Sequence, residues 1–98
     1  MLPTLSTTQP RFPLGELVAT PGALQALADA VQIPSEFLRR HVSGDWGDLC
    51  TADAQENEAS LTNGNRIFSV YHTALGDKLY IITECDRSVT TLLLAGEY

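Results

Sequence analysis

The chain is poor in the residues with which small proteins most often do chemistry. In 98 residues it has two cysteines, two histidines, one tryptophan and one methionine, and six Lys and Arg against twelve Asp and Glu. Cys50 and Cys85 are far apart and form no Cys-x-x-Cys pair, and His41 and His72 complete no zinc-finger spacing. Both thiols are expected to be reduced and partly buried, and no metal or cofactor is expected. No apolar run approaches the roughly 20 residues that span a bilayer, and no basic flank precedes an apolar stretch at the N-terminus. The expectation is a soluble, cytoplasmic protein with no membrane partner. The Gly-x-Ser-x-Gly elbow, the phosphate-cradling glycine loop and the Asp-x-Asp-x-Asp-Gly calcium loop are all absent, which gives no support to serine-nucleophile, P-loop or EF-hand chemistry.

The scarcity of basic residues is uneven. Residues 1–44 balance Glu16, Asp29 and Glu36 against Arg11, Arg39 and Arg40, so residues 45–98 carry the whole net charge of −6. A surface of that sign repels phosphates and disfavours direct nucleic-acid binding, while it can attract a basic protein surface.

What is present reads as one α+β domain, the usual solution at this length. Residues 1–13, with Pro3, Pro10 and Pro13, are expected to form a flexible arm, and residues 14–98 the domain. Leu14 to Ala19 suits a short strand or an extended lead-in, and Thr20-Pro21 is a helix start. Leu24, Leu27, Ala28 and Val31 recur at helical offsets up to about Gln32. Ile33-Pro34 interrupts, and a second helix to Val42 places Phe37, Leu38 and His41 together, with Gly44 as its stop. A third helix over about 52–62, capped by Thr51, has mainly Ala52, Ala54, Ala59 and Leu61 as apolar members, so polar bonds must anchor it unless it is largely solvated. Branched and aromatic runs at 66–72, 78–84 and 88–94, separated by turns, predict a three-stranded antiparallel meander on which the helices pack.

Chemistry-bearing groups concentrate in two segments, His41–Cys50 and Ile81–Ser88. His41 has two readings: a general base oriented by Asp45 or Asp48, or a helix-end histidine bonded structurally, which the helix dipole favours. Trp46 between Asp45 and Gly47 either caps the core with its N–H bonded outward or stands out as a partner anchor; capping is preferred. Asp53 and Asn57 are the third helix's candidates for inward bonds. Arg66 and Arg87 are expected to pair with Asp45, Asp53, Glu84 or Asp86, the alternative being an anion site with Ser69 and Tyr71 as further donors.

The strings His41-x-x-Gly-Asp-Trp-Gly-Asp-Leu-Cys50, Asn57, Arg66-x-x-Ser-x-Tyr71 and Ile82-Thr-Glu-x-Asp-Arg-Ser-x-Thr-Thr91, closed by Glu97-Tyr98, resemble a family of small bacterial proteins carried on plasmids, phages and other mobile elements. The resemblance spans residues 14–98 and includes Leu14-Gly-x-x-Val-Ala-Thr20. It implies a mobile-element accessory role and brings no reaction with it. The family usually has a small residue where this chain has Cys85, which further weakens a Cys50–Cys85 bridge.

Two functions follow as expectations. One is a small acidic protein-interaction module, countering a host defence system through its acidic half and the Trp46 turn. The other is a small enzyme or nucleotide-type ligand binder built from His41, Asp45, Asn57, Arg66, Glu84 and Arg87. They differ in whether those side chains line one open pocket or are spent on holding the fold together.

Overall fold

A computed structural model describes residues 10–98. Its elements run β1 (Glu16–Ala19), α1 (Pro21–Asp29), α2 (Pro34–Val42), α3 (Thr51–Asn63), β2 (Ile67–His72), β3 (Lys78–Thr83) and β4 (Val89–Leu94), closed by a 3-10 turn at Ala95–Glu97. The α+β class stands, but the sheet has four strands in the order β1-β4-β3-β2 and is mixed. β2, β3 and β4 make the expected antiparallel meander, and β1 adds to it in parallel alongside β4. A purely antiparallel three-stranded sheet is thus corrected. The 14–19 segment is too short and irregular to advertise a pairing partner 70 residues away, and only the folded register, Leu17 opposite Thr90 and Ala19 opposite Leu92, supplies one.

The helices begin largely as their sequence signals require. The Thr20 side chain accepts the Ala23 N–H and Pro21 opens α1, while Pro34 opens α2. The buried face of α1 differs from the expected stripe. Ala23, Ala26 and Leu27 face inward, whereas Leu24 and Val31 are 47% and 92% exposed. Small residues let α1 lie close to the sheet, and the helix stops at Asp29, before Val31 can join its face. For α3, Cys50 rather than Thr51 holds the cap position, with no side-chain cap bond, and left-handed Gly64 ends the helix.

One face of the sheet carries the main core, where Ala23, Leu27, Phe37 and Leu38 meet Tyr71, Leu79, Ile81 and Leu92. A second cluster joins Phe12, Trp46 and Ile67 with Leu49, Ala54 and Leu61. Of the arm expected at 1–13, residues 1–9 lie outside the described residues. Beyond them, Phe12 is buried and the Arg11 N–H donates to the Val42 carbonyl, so packing begins ahead of residue 14. No helix among the described residues is long and apolar enough to cross a membrane. Cys50 at the cap of α3 and Cys85 in the β3–β4 turn are free and both exposed, not partly buried.

Candidate functional site

His41 lies at the molecule's polar centre and is fully buried. Its Nδ1 is 2.6 Å from Ser69 Oγ and its Nε2 2.9 Å from Thr83 Oγ1. Thr83 Oγ1 is 2.7 Å from Thr90 Oγ1, which donates to the Leu14 carbonyl at 2.7 Å. Proton counting fixes the direction of this chain. Thr90 spends its one proton on Leu14, so Thr83 must donate to Thr90 and in turn accept from His41. Nε2 therefore carries the ring proton, and Nδ1 accepts from Ser69. Burial pushes the His41 pKa down to about 3, which keeps the ring neutral. Phe12 and Trp46 seal it edge-on, with ring centroids 5.2 and 6.1 Å away. Both ring nitrogens are thus bonded within the fold, with hydroxyls in place of the expected carboxylate.

The segment after α2 does not form a simple turn between helices. Gly47 makes a parallel bridge to Val70: the Val70 N–H donates to the Trp46 carbonyl and the Asp48 N–H to the Val70 carbonyl. The backbone comes so close that a Cβ on Gly47 would stand 1.9 Å from the Val70 oxygen, and its φ is +77°. Asp45 turns back to Arg40, with Oδ2 2.7 Å from Nε, and accepts the Gly47 N–H. The Arg40 guanidinium holds the Asp45 carboxyl below its ordinary range. Arg40 also lies over the Tyr71 ring, whose hydroxyl donates to the Asp45 carbonyl at 2.6 Å; burial pushes that phenol up. Asp48 pairs with the His72 ring at 2.6 Å. Trp46 is buried and its Nε1–H donates to Glu58, which also binds Arg11. Capping is therefore its role, and an exposed Trp46 anchor is ruled out.

The expected ion pairs of Arg66 and Arg87 with Asp45, Asp53, Glu84 or Asp86 are absent among the described residues. Arg66 donates to the Tyr98 hydroxyl at 2.8 Å. Arg87, in a left-handed conformation with φ +61°, reaches backbone carbonyls: Asn65 and Ser60 at 2.7 and 2.9 Å, and Glu84 and Cys85 in its own turn. It ties α3 to the β3–β4 turn, as an arginine at a junction should, but through carbonyls. The Ser60 and Glu84 carbonyls also accept the Gly64 and Arg87 N–H groups, so the guanidinium shares them with the backbone. Asp86 accepts the N–H and hydroxyl of Ser88, closing the same turn. Glu84 enters the turn through its backbone.

Asn57 is the best placed of the α3 candidates. It is buried, and its amide clasps the Phe68 peptide, donating to the carbonyl at 2.7 Å and accepting the N–H at 3.1 Å. The side chain thus substitutes for a strand partner on the outer edge of β2, next to the Gly47 bridge. Asp53 is exposed and makes no such bond. Asp53, Glu56, Asn57, Arg66, Phe68 and Tyr98 line an open groove of about 510 Å³ between α3 and the start of β2. The predicted residues consequently divide: Asp53, Asn57 and Arg66 share this groove; His41, Ser69 and Tyr71 are interior; Asp45 and Trp46 flank the bridge; Glu84, Asp86 and Arg87 make the β3–β4 turn. No set of three or more His, Cys, Asp or Glu suited to a metal occurs among the described residues.

Thr83, Glu58, Arg11 and Arg40 are partners in these bonds that the sequence motifs do not single out. A hydroxyl falling in phase with Leu79 and Ile81 on the buried face of a strand needs a partner, and that alternation was the available signal for Thr83. Matched against protein-family models, curated proteins and solved structures, the chain finds no counterpart in any of the three.

Proposed function

We propose that the protein is a non-enzymatic protein-interaction module, serving a mobile element as an accessory that counters a host defence protein. One observation carries the non-enzymatic part: His41, the one buried base among the described residues, is neutral, sealed and bonded at both nitrogens. The other side chains that could have formed a catalytic cluster with it are spent on separate structural bonds. The mobile-element part rests on the sequence strings alone. The charge of −6, all of it in residues 45–98, supports a basic protein surface as the partner and disfavours nucleic acid. Affinity capture from host lysate with the full chain is expected to recover a protein in stoichiometric amount, and the double variant Asp53→Lys, Glu56→Lys is expected to lose most of it while folding normally. Recovery of nothing, or equal recovery by the charge-reversed variant, would contradict the reading.

The groove between α3 and β2 favours a second reading, a small-ligand binder with Arg66 as donor and the Phe68 and Tyr98 rings as walls. Thermal-shift screening against nucleotides, ADP-ribose derivatives and divalent cations tests it, because a ligand bound only by the folded state must raise the melting temperature. No shift at millimolar ligand removes this alternative.

A further inference from the structure

The two edges of the sheet are finished differently. On β2 the outward peptide groups of Phe68 and Val70 are taken by the Asn57 amide and the Gly47 bridge. On β1 the parallel register, with the Glu16 and Thr20 N–H groups donating to Ser88 and Leu92, turns the peptides of residues 16, 18 and 20 toward β4. The peptides of Leu17 and Ala19 therefore point away from the sheet, and no partner takes them among the described residues. Leu17 and Val18 are 50% and 40% exposed on this strand. An open edge with apolar side chains is a template for another strand.

Charge states what kind of strand. Glu16 begins β1, and Asp86 bonds the same Ser88 whose carbonyl receives the Glu16 N–H. At the other end Glu97 accepts the Thr20 hydroxyl through Oε1, leaving Oε2 outside that bond. Glu16, Val18 and Thr20 share one face of the strand, Leu17 and Ala19 the other. The complement is a five-residue extended segment with basic residues at its first and last positions and apolar residues between. A second copy in the self-complementary register would set Glu16 opposite Thr20 and its bound Glu97, acid against acid.

We propose that the β1 edge takes an extended, basic-ended apolar segment of a partner protein as a fifth strand of the sheet. This adds, on the edge of the sheet away from the α3 acids, a second contact to the interaction module inferred above, and it rests on that reading. The test uses the 15N-labelled full chain and the capped peptide Lys-Leu-Val-Leu-Lys, with Glu-Leu-Val-Leu-Glu as control. Amide exchange at Leu17 and Ala19 is expected to be fast in the free protein and to slow on adding the basic peptide, while Val18 and Thr20 change little. The acidic peptide is expected to bind about tenfold more weakly. Leu17→Pro deletes one outward donor at an edge position that tolerates proline and is expected to weaken binding about fivefold. Should that variant unfold, Glu16→Lys keeps the strand and is expected to lose the preference for the basic peptide.

No slowing at Leu17 and Ala19 with millimolar basic peptide, or equal response to both peptides, overturns the proposal. So does protection of the two amides without peptide, whether independent of concentration, the chain's own residues 1–9 then covering the edge, or rising with concentration, a second copy then doing so. If host-protein capture survives Leu17→Pro undiminished, the edge assignment fails and the interaction reading stands; if nothing is captured by the parent chain either, both fail.

Discussion

The His41 ring is held by a single-file chain of hydroxyls, and each link depends on the one beyond it. Removing Thr90's hydroxyl frees Thr83 to turn its proton away and leaves the Leu14 carbonyl without its donor, so Thr90→Val is expected to cost about 1–3 kcal/mol in urea denaturation. The same burial sets a pH dependence. The folded-state pKa of His41, about 3, lies below the value of about 6.5 for an unfolded chain, so the unfolded state binds the proton first as pH falls. Stability is intact above about pH 6.5 and is lost toward pH 3, with about 2–3 kcal/mol gone by pH 4.5 from this residue alone. A His41→Gln variant, less stable at neutral pH, is expected to lose much less between pH 7 and 4.5.

Two backbone positions act in opposite senses. At Gly47 any side chain strikes the Val70 carbonyl, and Gly47→Ala is expected to cost more than about 2 kcal/mol. At Val31 a β-branched residue occupies the left-handed position after α1, φ +56°, where glycine is preferred. The Val31 N–H to Ala28 and Gln32 N–H to Leu27 bonds complete that helix end without help from its side chain. Val31→Gly should therefore stabilise the fold by about 1 kcal/mol and raise the melting temperature by about 4–8 °C in calorimetry.

At the scale of elements, α3 is informative because its apolar content is so low. Its anchors are polar: Asn57 on Phe68, Ser60's carbonyl on Arg87, and Glu58 on Trp46 and Arg11. The need for polar anchoring was legible in the sequence, since too few apolar residues fall on one side of it. Which side chain provides it was legible only in part, because Asn57 and Asp53 look alike until the β2 edge is placed beside one of them. Asn57→Asp cannot donate to the Phe68 carbonyl and sets acceptor against acceptor. It is expected to destabilise more than Asn57→Ala, by chemical denaturation. The helix and strand positions themselves were readable from proline, glycine and branched-residue signals. The α1 face departs from its leucine pattern because close packing on the sheet selects the alanines.

For the whole molecule, the pairing of β1 with β4 was beyond the sequence, because a four-residue strand carries no mark of its partner. So was the fate of the two polar segments. Both contain the residue types of an active site, and their spacing alone does not separate a catalytic cluster from a scaffold. The fold sends His41 inward and keeps Arg66, Glu84 and Arg87 away from it, in separate bonds. All of this depends on His41 being a sealed, neutral member of the scaffold. Titration of its ring nitrogens by NMR tests that directly: the Nε2–H tautomer is expected, unchanged from pH 8 to 5, and a ring that titrates between pH 6 and 7, or carries its proton on Nδ1, would contradict it.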